Sequence, residues 1–135
     1  MKSESWNDIN VGKMDCFDFF ELAINEFPLL EKKMDEWENE YFHMRMEIFS
    51  EYTIEQIKNN NIAELMKCFN FIEYKIDIIN AELENALNVS YCENLLLGNA
   101  SEEMDRIADI MPVKLKTIYL NYKLYYHNLI EKQNQ

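Results

Sequence analysis

The sequence predicts an all-α protein, a single-domain helical bundle of about five to six helices around a long central helix. The chain of 135 residues is the size of one domain, and 48% of its residues are hydrophobic, enough to bury a core. It contains only two Gly and two Pro, whereas sheet-rich domains need many turns built from these residues. Apolar residues also recur at steps of three and four, which is the period of an amphipathic helix.

Residues 1–13 are polar and lack an apolar period, so we expect a flexible N-terminal arm ahead of a bundle domain at 14–133. The first helix is predicted over 15–26, with one apolar side. The residues of that side are Phe17, Phe20, Leu22, Ile24 and Phe27. Pro28 suits the first turn of the next helix, because proline has no N–H to leave unbonded there.

The second helix is predicted over 28–52, where apolar residues form one stripe. They are Leu30, Met34, Trp37, Tyr41, Met44 and Ile48. Thr53 and Gln56 match a capping box. A short helix is therefore expected to restart at Ile54 and to end in the asparagines at 59–61.

The third helix is predicted to be the long central one, over 62–87, with Asn61 as its cap. Its apolar residues are Ile62, Leu65, Phe69, Ile72, Ile76, Ile79, Leu83 and Ala86. At about 1.5 Å per residue this helix would span roughly 39 Å. The seam is long enough to pair two chains in a coiled coil, but the other apolar helices favour packing within one chain.

Three shorter signals organise the rest of the chain. Ser90 and Glu93 match a capping box, which predicts a short helix closed by Gly98. Ser101 is expected to cap a helix that ends at Ile110. The last helix is predicted over 112–132, with an apolar stripe. Its stripe residues are Leu115, Ile118, Tyr122, Tyr125 and Leu129, of which both tyrosines are expected to be buried, while Tyr119 and Tyr126 are left open.

Acidic residues dominate the charge of the chain. There are 25 Asp and Glu against 13 Lys and Arg, a net charge of −12. Such a surface repels nucleic-acid phosphates and anionic membranes, so neither is an expected partner. It attracts basic proteins, although it also serves plain solubility. Residues 112–135 hold four Lys and one Glu, a net +3, so the rest carries −12 − 3 = −15 and the last helix can neutralise part of it.

The candidate partner-binding residues lie in the stretch 34–51. They are Glu36, Glu40, His43, Glu47 and Glu51. Glu40 and His43 form an E-x-x-H pair, but a di-iron bundle needs that pair on two helices, and it occurs here once. No metal site is therefore expected. On one continuous helix these five residues would lie opposite the apolar stripe, as an exposed acidic face that recognises positive charge.

No catalytic site or cofactor is expected. Gly12 and Gly98 do not form a phosphate-binding loop, and no nucleophile motif is present. Cys16, Cys68 and Cys92 form no C-x-x-C pair and lie beside apolar residues, which predicts buried free thiols. Free thiols suit a reducing compartment, and no apolar run is long enough for a signal peptide or a membrane span. We therefore expect a cytoplasmic protein that is not an enzyme.

Two other carboxylates, Glu73 and Glu93, flank apolar stripes and are expected to be half-buried. A half-buried carboxylate needs a polar partner. The last helix offers lysines and tyrosines, so we expect structural bonds here rather than a ligand site.

Three segments carry a resemblance to a family: FFELAINEFPLL, FNFIEYKI and NALNVSYCENLL. Across 16–97 they resemble small, uncharacterised, all-helical bacterial proteins, in which an aromatic-Pro turn precedes one helix. Such proteins are similar to those found near toxin–immunity systems. The resemblance implies a helical fold and carries over no functional residue.

These observations lead to a first hypothesis for function, an acidic protein-binding module. In its most specific form it is an immunity or antitoxin-like inhibitor that covers a basic surface of a toxin or nuclease. The alternative is a structural or regulatory helical protein that acts as a homodimer, so the oligomeric state stays open between monomer and homodimer. A metal-dependent enzyme is a distant third.

Overall fold

Asp15 begins the first helix of the structure, a computed structural model that describes residues 13–133. Its side chain accepts a hydrogen bond from the backbone N–H of Asp18 at 2.8 Å, so α1 (Cys16–Glu26) starts where the sequence predicts. The predicted arm at 1–13 lies outside the described residues except for Lys13, whose ammonium donates to the carbonyl of Asp77 at 2.9 Å.

Helices of different lengths follow α1. They are α2 (Glu31–Met34), α3 (Phe42–Lys58), α4 (Ile62–Glu73), α5 (Ala81–Ala86), α6 (Glu93–Leu97), α7 (Met104–Ala108) and α8 (Val113–Gln133). Between them lie 3₁₀ turns at Pro28–Leu30, Ile76–Ile78 and Ser101–Glu103 and the π-segment, Leu87–Cys92. Residues 13–133 form no β-strand, which confirms the predicted all-α single domain. No helix in this part of the chain has the length and hydropathy that a bilayer-spanning segment requires.

The continuous helix predicted over 28–52 is wrong, because the chain leaves the helix after Met34 and re-enters it at Phe42. At helical spacing Glu36 and Glu40 would repel each other, which disfavours one helix through this acidic run. The buried Arg45 instead donates to the carbonyl of Trp37 at 3.2 Å and holds the loop.

The predicted restart at Ile54 is also wrong, since its expected cap, Thr53, lies inside α3 and the Thr53 hydroxyl donates to the carbonyl of Phe49 at 3.1 Å. The π-segment gives a similar correction for Ser90. Residues 81–97 are helical throughout, so Ser90 is an interior residue and not a cap. Both side chains therefore serve contacts between elements rather than helix starts.

The long central helix predicted over 62–87 is interrupted between α4 and α5. Asn61 caps α4 as predicted, and its side chain accepts from the N–H of Glu64. Asn80 then caps α5, accepting from the N–H of Leu83 at 2.9 Å. The chain at 78–80 pairs with Met14, whose N–H and carbonyl both bond to it. This pairing and the second cap explain why residues 62–87 do not form one continuous helix, although the apolar period runs through them.

Aromatic side chains from the residue that ends α1, from α4 and from the π-segment meet around α3, which takes the central position. The ring centroids of Phe27, Phe71 and Tyr91 lie 5.5, 5.8 and 5.7 Å from that of Phe49. The rings are tilted or edge-to-face, the arrangement that aromatic quadrupoles favour. The buried Tyr91 hydroxyl lies 2.8 Å from the Thr53 hydroxyl, so this polar group is bonded inside the core.

The last helix, α8, matches its predicted bounds within one residue. Glu73 accepts from the backbone N–H groups of Lys114 at 3.0 Å and Leu115 at 2.8 Å, so its expected structural bond goes to the backbone of α8 rather than to a side chain. Tyr119 is buried, but Tyr125 is 60% exposed, which overturns its predicted burial. In the described part of the chain, the last α8 side chain packed against the core is that of Tyr122.

The three cysteines are free, as predicted. Cys68 and Cys92 are buried, and Cys16 is half-buried. Gly98 ends α6, also as predicted, and its N–H donates to the carbonyl of Asn94 at 2.8 Å. Its φ of −84° is open to any residue, so the requirement for glycine comes from the close approach to Asn94.

Candidate protein-binding surface

The five candidate residues do not share one helix face, contrary to prediction. Glu36 and Glu40 lie in the loop between α2 and α3, whereas His43, Glu47 and Glu51 follow one another at four-residue steps on α3. Those three do share a face of α3. All four glutamates are exposed, and His43 is half-buried. Their role in binding remains a prediction.

Glu40 lies in a cleft of 340 Å³ where the starts of α1, α3 and α5 meet. The lining residues are Asp15, Cys16, Phe17, Asn39, Glu40, Phe42, Asn80 and Glu82. Helix N-termini favour negative charge, which explains why carboxylates gather here. Three carboxylates line this first cleft beside the half-exposed ring of Phe17, and no lysine or arginine does.

Glu47 lies in a second cleft, of 250 Å³, between α3 and the helix that continues the π-segment. Its lining residues are Glu47, Val89, Ser90, Glu93, Asn94 and Leu97, again without lysine or arginine. Asn94 donates to the hydroxyl of Ser50 at 2.7 Å, which fixes one wall against α3. The wider turn of a π-helix frequently occurs at functional sites, because it changes the direction of neighbouring side chains.

Phe42 and His43 join the two clefts. The ring of Phe42 lines the first cleft, and its centroid lies 4.7 Å from that of His43. The Nδ1 of His43 lies 2.7 Å from the hydroxyl of Ser90, which lines the second cleft. We call the joined surface the acidic band. Its carboxylates are Asp15, Glu40, Glu47, Glu82 and Glu93.

Sequence reasoning placed Glu40 and Glu47 on a recognition surface but missed Asp15 and Glu82. These come from the starts of α1 and α5, which only the break between α4 and α5 brings near the loop. The overlooked signal for Glu82 was the asparagine two residues before it, which caps a new helix. Glu93 was recognised as half-buried but was not assigned to this surface.

The carboxylates of the predicted surface are free of internal cations. Within residues 13–133, ion pairs occupy other acidic side chains, and none of Glu36, Glu40, Glu47 or Glu51 takes part in one. A hydrogen bond that protonated Glu40 donates to Glu38, together with the charge of Glu38, raises the pKa of Glu40 above its ordinary value. Two carboxylates that crowd each other in this way leave a place where a cation would be stabilised.

Glu93 has a second contact on its other side, toward α8. Burial, followed by the hydrogen bond and charge of Glu93, raises the pKa of Tyr122 to about 12. The tyrosine therefore stays a neutral donor at physiological pH. This shift agrees with the expected structural bond between Glu93 and the last helix.

His43 is the histidine of the E-x-x-H pair in the sequence. The E-x-x-H pair is split by the start of α3, so Glu40 and His43 do not have the geometry of one helix. In the part of the chain that the structure describes, no three potential ligand residues are grouped as a metal site would need. The bond from His43 to Ser90 ties α3 to the π-segment, which gives this pair a structural role.

The fold and the acidic band define a small all-α domain with an acidic, aromatic-lined surface. The chain belongs to the family described as "Domain of unknown function (DUF7674)", whose model matches residues 20–127. Comparisons with the curated proteins and with the solved structures gave no match.

Proposed function

We propose that this chain binds a basic protein through the acidic band. In its specific form the proposal is that the protein acts in the bacterial cytoplasm as an immunity or antitoxin-like inhibitor. It would cover the basic surface of a toxin or nuclease, with its carboxylates in the places of nucleic-acid phosphates. The net charge of −12 favours fast association with such a partner.

The observation that carries this proposal is the pair of adjoining clefts with five carboxylates and no lysine or arginine in either lining. Each cleft also exposes apolar surface: Phe17 in the first, Val89 and Leu97 in the second. Protein interfaces combine buried apolar anchors with a charged rim. The clefts supply both, so a lysine or arginine could pair with a carboxylate while an apolar neighbour is covered.

The test uses two triple variants with the same change in charge. The band variant is Glu40→Gln, Glu47→Gln and Glu93→Gln, and the control is Glu21→Gln, Glu31→Gln and Glu102→Gln at exposed positions outside the band. Each protein is used as bait in host extract, and captured proteins are quantified by mass spectrometry at low and high salt. We expect a basic protein whose capture falls about tenfold or more in the band variant but not in the control.

The same experiment separates the outcomes that would contradict the proposal. If the band variant and the control capture equal amounts of the partner, net charge attracts the partner and the acidic band is not its binding surface. Capture of acidic proteins alone, or of no protein, would remove the basic partner. A basic partner that binds but is not a toxin would retain the binding function and remove the immunity role.

A second function, a homodimeric helical module, is favoured by the outer half of α8. Leu124 is 62% exposed and Tyr125 60%, beyond the last side chain packed on the core. A helix with apolar residues on several sides is normally covered. Light scattering should then give twice the chain mass, and Leu124→Ser with Tyr125→Ser should give a monomer. A wild-type monomer at every concentration would exclude this alternative.

A further inference from the structure

A cleft of 480 Å³ lies between α1 and the end of α4, and it shares no lining residue with the acidic band. Its size is within the range of small-molecule sites. Leu22 and the exposed ring of Tyr74 supply apolar surface. Lys67, Lys75, Asn25 and Asn70 supply the polar groups that reach the cleft. Two lysines therefore line this cleft, whereas no lysine or arginine lines either cleft of the acidic band.

Both ammonium groups are held against aromatic rings. The Nζ of Lys75 lies 3.8 Å from the ring centroid of Phe71, and the Nζ of Lys67 lies 5.2 Å from that of Phe27. A cation over a ring face is stabilised by the ring quadrupole. The Lys75 ammonium also donates to the carbonyl of Phe71, at 3.5 Å. An ammonium has three N–H donors, so this one bond leaves donors for a further acceptor.

The Lys75 ammonium lacks a direct ion pair in the described residues, although the charge of Glu26 acts on it from beyond ion-pair distance. The sequence has 25 acidic residues for 13 basic ones, yet in residues 13–133 no carboxylate lies within ion-pair distance of the Lys75 ammonium. Lys67 differs, because its Nζ lies 3.8 Å from a carboxylate oxygen of Glu26. Burial lowers the pKa of Lys75. An anion that enters the cleft would supply the missing partner.

We propose that this cleft binds a small organic anion with one carboxylate and an aromatic or aliphatic body. The carboxylate pairs with Lys75, and the side-chain amides of Asn25 and Asn70 are its neutral neighbours. The body covers Leu22 and Tyr74. Glu26 lines the same cleft, so its charge disfavours a ligand with a second negative group.

The test is a titration of the ¹⁵N-labelled protein with phenylacetate, followed by NMR. Phenylacetamide has the same shape without the charge, and phenylmalonate adds a second carboxylate. We expect phenylacetate to shift amide signals at the end of α1 and the end of α4. It should bind about tenfold or more tightly than either of the other probes. Phenylacetamide forms no ion pair with Lys75, and the second carboxylate of phenylmalonate is repelled by Glu26.

Lys75→Met removes the ammonium but retains much of the apolar stem, and Lys32→Met on α2 is the matched control. The first variant should bind phenylacetate about tenfold less tightly, and the second should bind as the wild type does. Equal thermal melting of both variants would show that each is folded. Lys75→Gln provides a second variant without the charge if Lys75→Met does not fold.

Three results would overturn the proposal. The first is equal binding of phenylacetate and phenylacetamide, which would make the site only apolar. The second is unchanged affinity in a folded Lys75→Met or Lys75→Gln protein. The third is either signal shifts outside this cleft or no signal shift at tens of millimolar phenylacetate. None of these results depends on a basic protein partner.

Discussion

Glu73, the last residue of α4, holds the start of α8. Its two carboxylate oxygens accept from the N–H groups of Lys114 and Leu115. The first N–H groups of a helix have no partner inside their own helix, and a negative charge there is favourable. We expect Glu73→Ala to lower the free energy of unfolding by about 1–2 kcal/mol, measured by urea denaturation.

Two further variants test the reason for that loss. Glu73→Gln retains one carbonyl acceptor without the charge, so its loss should be smaller than that of Glu73→Ala. Glu21→Ala removes an exposed glutamate of α1 and should change stability by less than about 0.5 kcal/mol. Equal losses for Glu73→Ala and Glu21→Ala would show that α8 does not depend on this cap.

The protonation of Glu40 connects the acidic band to pH. Its pKa is raised by Glu38 in the free protein, so Glu40 takes up a proton at a higher pH than an ordinary glutamate. A basic partner favours the charged form and lowers that pKa again. Affinity should therefore fall as pH is lowered through the raised pKa, and binding near that pH should release protons.

Calorimetry in two buffers of different ionisation enthalpy measures this proton release. Glu38→Gln removes the neighbouring charge, so it should lower the pKa of Glu40 and move the loss of affinity to lower pH. Glu21→Gln leaves this pair untouched and should not move it. Affinity that is independent of pH across the titration of Glu40 would place the contact elsewhere.

At the scale of elements, two helix starts with one cap residue were predictable, but the start expected at Ser101 was wrong and the interruptions were missed. Asp15 and Asn61 each cap the helix expected after them. Ile76, Ile79 and Leu83 keep the apolar period across the gap between α4 and α5. The period therefore predicted one helix over 62–87 and gave no sign of the break. Asn80 was the available signal, because an asparagine cap competes with helix continuation.

The same limit applies to the candidate surface. Its members on α3 follow from helical spacing within one stretch, whereas Asp15 and Glu82 join it only through the pairing of Met14 with 78–80. Contacts between separate elements have no local sequence signature. The π-segment was missed for a related reason. Its local capping-box pattern predicted a helix start at Ser90, whereas its packing against α3 involves residues far away in the sequence.

The end of α6 gives a prediction for an element. A Cβ at Gly98 would lie 2.4 Å from the carbonyl oxygen of Asn94 and 2.7 Å from its side-chain oxygen. The first of these is backbone, so the helix end itself must shift. We expect Gly98→Ala to cost about 1–3 kcal/mol in urea denaturation. Asn99→Ala, the exposed neighbour, is the control, and a neutral Gly98→Ala would show that the helix end yields freely.

For the whole molecule, charge is divided between α8 and the rest. Residues 112–135 carry +3 and the remainder −15. Lys114 pairs with Asp77, and Lys123 lies 3.2 Å from Asp105, so part of the basic helix is joined to the acidic body, as the charge pattern predicted. These pairs are exposed and contribute little stability each. Cohesion therefore comes mainly from the apolar core around α3.

That single core predicts how the thiols react. Burial raises the pKa of Cys16, Cys68 and Cys92 to about 12 in each case. The thiolate is the reactive form, so native protein at pH 8 should react slowly with iodoacetamide. Cys16 is half-buried at the start of α1 and should be alkylated first, whereas the other two need the core to open.

Mass spectrometry of alkylated peptides across a urea series measures each site. Because α4 and the π-segment share one core, Cys68 and Cys92 should become reactive together, at the midpoint of the loss of helical circular dichroism. Alkylation of Cys92 at lower urea than Cys68 would show that the π-segment opens by itself. The second cleft of the acidic band would then be built on a locally unstable wall, and partner binding should protect Cys92 more than Cys68.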